Sequence, residues 1–206
     1  MTAPSEAVLR DACQALASAD PYLKRAYVKV DLPNWRTRPA TYQSLAQIVV
    51  YQLISTKAAD AIWGRILARH SELHAYDVLA DKQDELLACG LSRPKLGHLN
   101  AIAEAVESGV LDLALLGRAP IEDARKALLS VRGIGPWTAD TFLMTALGHM
   151  DAFPHGEVGL MEAYKRLSGA EDRLTSKAFS SLAETWQPYR AVAAHLLYDC
   201  LHSVRD

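Results

Sequence analysis

The 206-residue sequence has only three cysteines, Cys13, Cys89 and Cys200, and they lie far apart. A scattered, odd set speaks against a disulfide framework and fits a reducing compartment, so a cytoplasmic location is expected. It also excludes the four closely spaced thiolates of an iron–sulfur cluster. No run of about 18 apolar residues occurs, which argues against a membrane-spanning helix. The opening residues, Met-Thr-Ala-Pro-Ser-Glu, lack the basic-then-apolar layout of a secretory signal. Positive charge is not in excess. A net charge of −2 speaks against a protein that coats long polyanions, though not against a small local basic footprint. Low-complexity stretches and internal repeats are missing. So is sustained apolar–polar alternation, and no sheet is expected.

What is present reads as helix. Half the residues are apolar, enough for one large domain or two small lobes sharing an interface. Apolar spacing predicts helices over 5–18, 42–54, 57–70, 82–88, 94–107, 121–130, 137–147, 157–167, 175–186 and 189–203. Asp31-Leu32-Pro33-Asn34-Trp35 and Arg38-Pro39 mark a loop, because a residue before proline avoids the helical region. Ser55 and Thr56 can end one helix and cap the next. Gly90-Leu91-Ser92-Arg93-Pro94 reads as a turn of hairpin type.

The most informative stretch is Val131-Arg-Gly-Ile-Gly-Pro-Trp-Thr-Ala-Asp140. Gly133 and Gly135 bracket one apolar residue, and Pro136 suits a first helical position. The expectation is helix, sharp hairpin, helix, with free amides at the second helix's start. Such an N-terminus seats a phosphate. The alternative is a helical corner whose glycines only permit close packing. Lys57, Arg93, Lys95, Arg125, Lys126 and Arg132 form a candidate basic patch, or else a solvated surface. His70, Glu72 and His74 lack the His-Glu-x-x-His order, so solvent exposure is the expectation for them and no side-chain metal site is expected.

Three blocks carry a family resemblance: Gln52-Leu53-Ile54-Ser55, then Gly90-Leu91-Ser92-Arg93 with Lys95, then Gly133-Ile134-Gly135-Pro136-Trp137-Thr138-Ala139. Together, and in this order, they resemble the helix-hairpin-helix (HhH-GPD) DNA glycosylase superfamily, nearest to the AlkA-type 3-methyladenine glycosylases. The similarity runs from about Tyr42 to Tyr198. It implies an all-α fold of two helical lobes, 36–136 and 1–35 with 137–206, and an active-site cleft between them. The AlkA-type enzyme has an additional N-terminal β-rich domain. This chain resembles the compact, all-helical members.

The resemblance also implies roles. Glu157 stands at the catalytic carboxylate. The family pattern is Pro-x-Asp-Asp, whereas this sequence has Pro154-His155-Gly156-Glu157, with glycine at the first acidic position and glutamate at the second. The extra methylene can displace the carboxylate by about an ångström, and such a shift can cost about a hundredfold in rate. A compensated glutamate, a substituted variant and a reduced-activity binder all fit, as does a Glu157 that only complements a helix N-terminus. Trp137 occupies the position of the lyase members' nucleophilic lysine and cannot form a Schiff base. A monofunctional enzyme follows, with Trp137 as a stacking wall for an electron-poor base. Trp137, Tyr198, Thr141 and Leu197 would line the base pocket. Trp35, Tyr42 and Trp186 could add aromatic surface. Leu53 matches the intercalating wedge. Gln52, Leu53, Ser55, Arg93, Lys95, Arg132, Gly133, Ile134, Gly135 and Thr138 would contact DNA. No cofactor is required, although the family often holds Na+ or K+ on hairpin carbonyls, here those of Val131 and Ile134. The implied partner is double-stranded DNA carrying alkylated bases, engaged by a monomer without a membrane. Two readings from other classes are a non-catalytic damage sensor and a helical interaction module.

Overall fold

A computed structural model describes residues 3–80 and 83–202. Among these residues the chain is all-helical. The chain divides into two compact units. One is Arg38–Leu147, and the other joins the chain up to Thr37 to the chain from Gly148. The upper boundary falls at 147 rather than 136. The reason is that the helix after the hairpin packs on the helix before it, and on an earlier helix of the same unit.

The first unit contains α3 (Tyr42–Tyr51), α4 (Thr56–Arg69), α5 (Ala75–Leu79), α6 (Gln83–Ala88), α7 (Arg93–Glu107), α8 (Leu113–Leu116), α9 (Ile121–Leu129) and α10 (Pro136–Thr145). α3 is its centre, buried along Leu45, Ala46, Ile48, Val49 and Val50 and packed on α4, α7 and α10. Each boundary has a local cause. Thr41, Ser55 and Ser92 cap the first amides of α3, α4 and α7, and Pro94 and Pro136 sit in first turns. Gly90 turns at φ +95, as its hairpin-type sequence suggests. The Tyr42 hydroxyl donates to the Leu99 carbonyl at 3.0 Å, fixing α3 to α7. Tyr42 is therefore a core residue, 5% exposed.

The second unit contains α1 (Glu6–Ala19), α2 (Pro21–Val30), α11 (Val158–Ser168), α12 (Ser176–Ala183), a 3-10 turn (Glu184–Trp186) and α13 (Arg190–His202). α2 is absent from the sequence expectation, yet its signal is present: Asp20 caps it and Pro21 opens it. Asp20 is 3% exposed and its carboxylate is fully engaged. Oδ1 takes the amides of Tyr22 and Leu23, and Oδ2 takes the Tyr164 hydroxyl at 3.1 Å and Trp186 Nε1 at 3.0 Å. A buried carboxylate is tolerated only when hydrogen-bonded in this way. Trp186 thus belongs to an aromatic core with Phe153, Tyr164 and Phe179.

Several expected helix ends move by a residue or two. The expected start at 82 and end at 203 lie outside the described residues. α3 stops at Tyr51 instead of running to 54, and α12 gives way at Ala183 to the 3-10 turn that completes the expected run to 186. No helix among the described residues is long and apolar enough to cross a membrane.

Candidate functional site

The hairpin forms where the glycines place it. α9 ends at Leu129, and the Ile134 amide donates to the Val131 carbonyl at 3.1 Å. The Val131 and Ile134 side chains are buried and anchor the turn. Gly133 has φ +94, and a Cβ there would lie 2.5 Å from His98 Cβ and 2.9 Å from His98 Cα. Turn geometry and the approach of α7 both demand glycine. Gly135 differs. Its φ is −87, ordinary for any residue, and nothing lies within 4 Å of where its Cβ would be. The fold itself makes no demand for glycine at 135. Gly135 is exposed at the N-cap of α10, and no side chain caps that helix. Pro136 has no N–H, so the first backbone donors of this helix start are those of Trp137 and Thr138, at the end of a helix where the dipole favours an anion.

The second turn joins α3 to α4. Leu53 is completely exposed and has φ +57. That conformation costs an L residue about 1–2 kcal/mol. It is a loop tip, not the apolar helix end the sequence suggests. Two ties hold the loop. Lys95 Nζ donates to the carbonyls of Val50 and Gln52, 2.7 Å to each. Gln52 Nε2 donates to Thr138 Oγ1 in the first turn of α10.

These ties correct part of the expected DNA footprint. Thr138 is 1% exposed, and its hydroxyl serves Gln52. The Lys95 ammonium is engaged internally, and burial lowers its pKa. The Ser55 hydroxyl caps α4 through the Ala58 amide. Arg125 pairs with the buried Asp140 at 2.7 Å, joining α9 to α10, and so leaves the candidate patch. Lys57, Arg93, Lys126 and Arg132 are exposed. The expected histidine cluster also changes. His70 is buried at the end of α4, and His74 begins α5, 3.8 Å from Glu72. Among the described residues no acidic, His or Cys grouping can hold a metal ion.

In the same unit Trp137 and Thr141 lie one turn apart on α10, both half-buried. Trp137 is not a core residue. Thr141 Oγ1 is buried without a hydrogen-bond partner.

In the second unit Pro154–Glu157 forms a turn closed by the Glu157 amide on the Pro154 carbonyl, 3.1 Å. Gly156 has φ +81, which accounts for glycine where the family pattern has its first aspartate. Glu157 is the N-cap of α11, and its Oε1 accepts the Gly159 amide at 3.0 Å. The longer side chain is thus held by its own helix. A Cβ at Gly159 would lie 3.2 Å from Glu157 Oε1 and 3.9 Å from Tyr198 Cε1, so carboxylate and phenol converge over this glycine. Burial and the Glu157 charge both push the Tyr198 phenol up. Leu197, expected beside it, is fully buried and does not line a surface. Consecutive helical residues point about 100° apart, and Tyr198, unlike Leu197, is only half-buried.

Three neighbours were not legible as a group. Arg36 sits 5.3 Å from the Tyr198 ring and donates to Asp199 at 2.7 Å. Trp35 packs on His195 with ring centroids 4.4 Å apart. His195 is fully buried, neither ring nitrogen has a partner, and burial, with the Arg36 charge, pushes the imidazole down to about 3. Trp35 therefore lies in the unit that carries Glu157. Its sequence neighbourhood, a Pro-containing loop, holds no signal for that pairing.

The structural features are a helix start without a side-chain cap, an exposed apolar tip and a fixed carboxylate beside an aromatic ring. Residues 46–188 match the model of the HhH-GPD superfamily base excision DNA repair proteins. The putative DNA-3-methyladenine glycosylase YfjP of Bacillus subtilis is 34% identical over 93 residues, covering 45% of this chain and 32% of that protein. This chain therefore spans about a third of that relative's length. The DNA-3-methyladenine glycosidase of Bacillus halodurans superposes with a TM-score of 0.78 at 29% identity, covering 94% of this chain and 90% of the other. The 3-methyladenine DNA glycosylase of Schizosaccharomyces pombe, solved with abasic DNA, gives 0.80 at 26% identity, covering 91% and 95%. Fold, site elements and relatives agree: this chain belongs to the HhH-GPD superfamily of base excision DNA repair proteins.

Proposed function

We propose that the chain is a monofunctional DNA glycosylase that hydrolyses the N-glycosidic bond of alkylated purines, of the 3-methyladenine class, in double-stranded DNA. The observation that carries this reading is Glu157, a half-buried carboxylate held at 3.0 Å by the Gly159 amide and facing Tyr198. An enzyme acting on a base inside a duplex must evert the nucleotide. In this reading the exposed Leu53 fills the vacated stack, and the first N–H groups of α10, beyond Gly135 and Pro136, hold a backbone phosphate. Lys57, Arg93, Lys126 and Arg132 supply long-range attraction.

An alkylated purine already carries positive charge, so the leaving base needs no added proton. The C1′–N bond breaks, its electron pair stays with the departing base, and cationic character moves to the sugar. Glu157 stabilises that charge and orients the water that attacks C1′. Trp137 stacks on the electron-poor base. It offers no amine, so no Schiff base forms and the product is an abasic site.

Na+ or K+ on the carbonyls of Val131 and Ile134 belongs to the same proposal. The Val131 oxygen already accepts one amide and keeps a second lone pair for an ion. Replacing K+ with tetramethylammonium at equal ionic strength is expected to weaken DNA binding by severalfold. An unchanged affinity removes the ion from the account.

The direct test is incubation of the native chain with duplex DNA containing 3-methyladenine or 7-methylguanine. Free base should appear, with an intact but abasic strand. Lesion-selective binding without release would instead make the chain a damage sensor.

A further inference from the structure

Helix α7 underlies both turns assigned above to DNA, and one side chain on it has no other evident task. Lys95 Nζ reaches the carbonyls of Val50 and Gln52, 2.7 Å to each. These are carbonyls left without helical partners where α3 stops. One turn along α7, His98 packs so closely on the hairpin that only glycine fits at 133. The next residue, Leu99, receives the Tyr42 hydroxyl and locks α7 to α3. The second tie, from Gln52 to Thr138, joins the same loop to the first turn of α10.

The loop so held contains Leu53, whose side chain is wholly exposed at φ +57. An exposed leucine gains nothing from burial, and left-handed backbone favours glycine or asparagine. A strained conformation of this kind persists only where its surroundings over-determine it. The bonds from Lys95 and Gln52 supply that over-determination. A half-buried lysine that binds two carbonyls is also poorly placed as a phosphate contact. Desolvation lowers its pKa accordingly.

We propose that Lys95 is a positioning residue: by bridging the carbonyls of Val50 and Gln52 it fixes Leu53 in the left-handed geometry that enters the base stack. It also ties that wedge to the helix backing the hairpin, so that wedge and strand clamp keep one spacing. This inference rests on the glycosylase reading for the role of Leu53.

The test compares one lesion in two settings: paired within a duplex, and in a single-nucleotide bulge, where little unstacking is needed. Lys95→Met keeps the aliphatic stem and removes the donors. The ratio of paired to bulged release rates should fall at least about tenfold, as in Leu53→Ala, and the double variant should fall no further than Leu53→Ala alone. Lys95→Arg, which retains charge and donors, should recover most of the ratio. Equal losses on both substrates, or losses that multiply in the double variant, would overturn the proposal. If Lys95→Met does not fold, Thr138→Val breaks the other tie and should lower the same ratio.

A second readout needs no catalysis. A 2-aminopurine placed beside an abasic-site analogue should brighten when the native chain binds and unstacks it. In Lys95→Met at least half of that rise should vanish while anisotropy still reports binding. An undiminished rise in the variant, or no rise with the native chain, would overturn the proposal. Brightening by a native chain that releases no base would leave Lys95 its role and defeat the glycosylase reading instead.

Discussion

The two hairpin glycines should fail in opposite ways when each is replaced by alanine. At Gly133 a methyl group enters a left-handed backbone at φ +94 and lands 2.5 Å from His98 Cβ. The conformational part costs about 1–2 kcal/mol. Overpacking against the α7 backbone adds about 1–3 kcal/mol. A total near 3 kcal/mol lowers the Tm by roughly 6–12 °C in a chain of this size. At Gly135 the φ is −87 and no atom lies within 4 Å of the added carbon. Alanine there restricts the unfolded chain, which is worth about 0.4–1 kcal/mol, and is a poorer N-cap by a similar amount. The net change should stay within about 1 kcal/mol. In the proposed phosphate seat the new methyl group would crowd an anion held by the first N–H groups of α10. Losing one phosphate contact should reduce affinity for an abasic-analogue duplex at least tenfold, about 1.4 kcal/mol. Thermal unfolding and fluorescence anisotropy on both variants separate the two effects. A Gly135→Ala variant that unfolds as early as Gly133→Ala, or that binds DNA as tightly as the native chain, would refute the assignment of this turn as a phosphate seat.

Gly159→Ala should leave stability nearly intact and lower kcat about tenfold, because its Cβ would press Glu157 Oε1 at 3.2 Å and move the carboxylate by tenths of an ångström. Stopped-assay kinetics check this, and a change in KM alone contradicts it. His195 should make the fold acid-sensitive. Its imidazole is held down to about 3, below the ordinary value of 6.5, so the folded state binds fewer protons than the unfolded state between those values. Stability from this group is complete above pH 6.5 and is lost as pH falls, by about 2 kcal/mol at pH 5. In denaturant titrations, His195→Phe should lose less stability than the native chain between pH 7 and 5, and parallel losses would contradict the assignment.

What could be read from sequence was local. Ser92–Pro94, Gly133–Pro136 and the apolar spacing of α7, α9 and α10 act over a few residues, so their elements form where their signals stand. The stop of α3 at Tyr51 was hidden because Gln52-Leu53-Ile54 continues an apolar helical pattern. Lys95 and Thr138, far along the chain, end the helix there through bonds no local pattern encodes. Asp20-Pro21 is an ordinary helix start, and α2 begins there although apolar spacing does not predict it. The family pattern singled out Glu157, which the fold places as the N-cap of α11. The approach of Glu157 to Tyr198, and the seating of Arg36 on that ring, depend on the packing of α11, α13 and the loop before α3. Residue type alone was a poor guide to charge availability. Arg125 and Lys95 look like their exposed neighbours in the sequence, yet each is held by partners that only the fold supplies.

The most direct measurement is single-turnover release of 3-methyladenine by the native chain and by Glu157→Gln, with DNA binding followed in parallel. The amide oxygen of glutamine can still accept the Gly159 N–H, so the cap of α11 and the affinity for DNA should persist, while release falls at least about a thousandfold. Release at the native rate from the Gln variant would contradict the account at its centre.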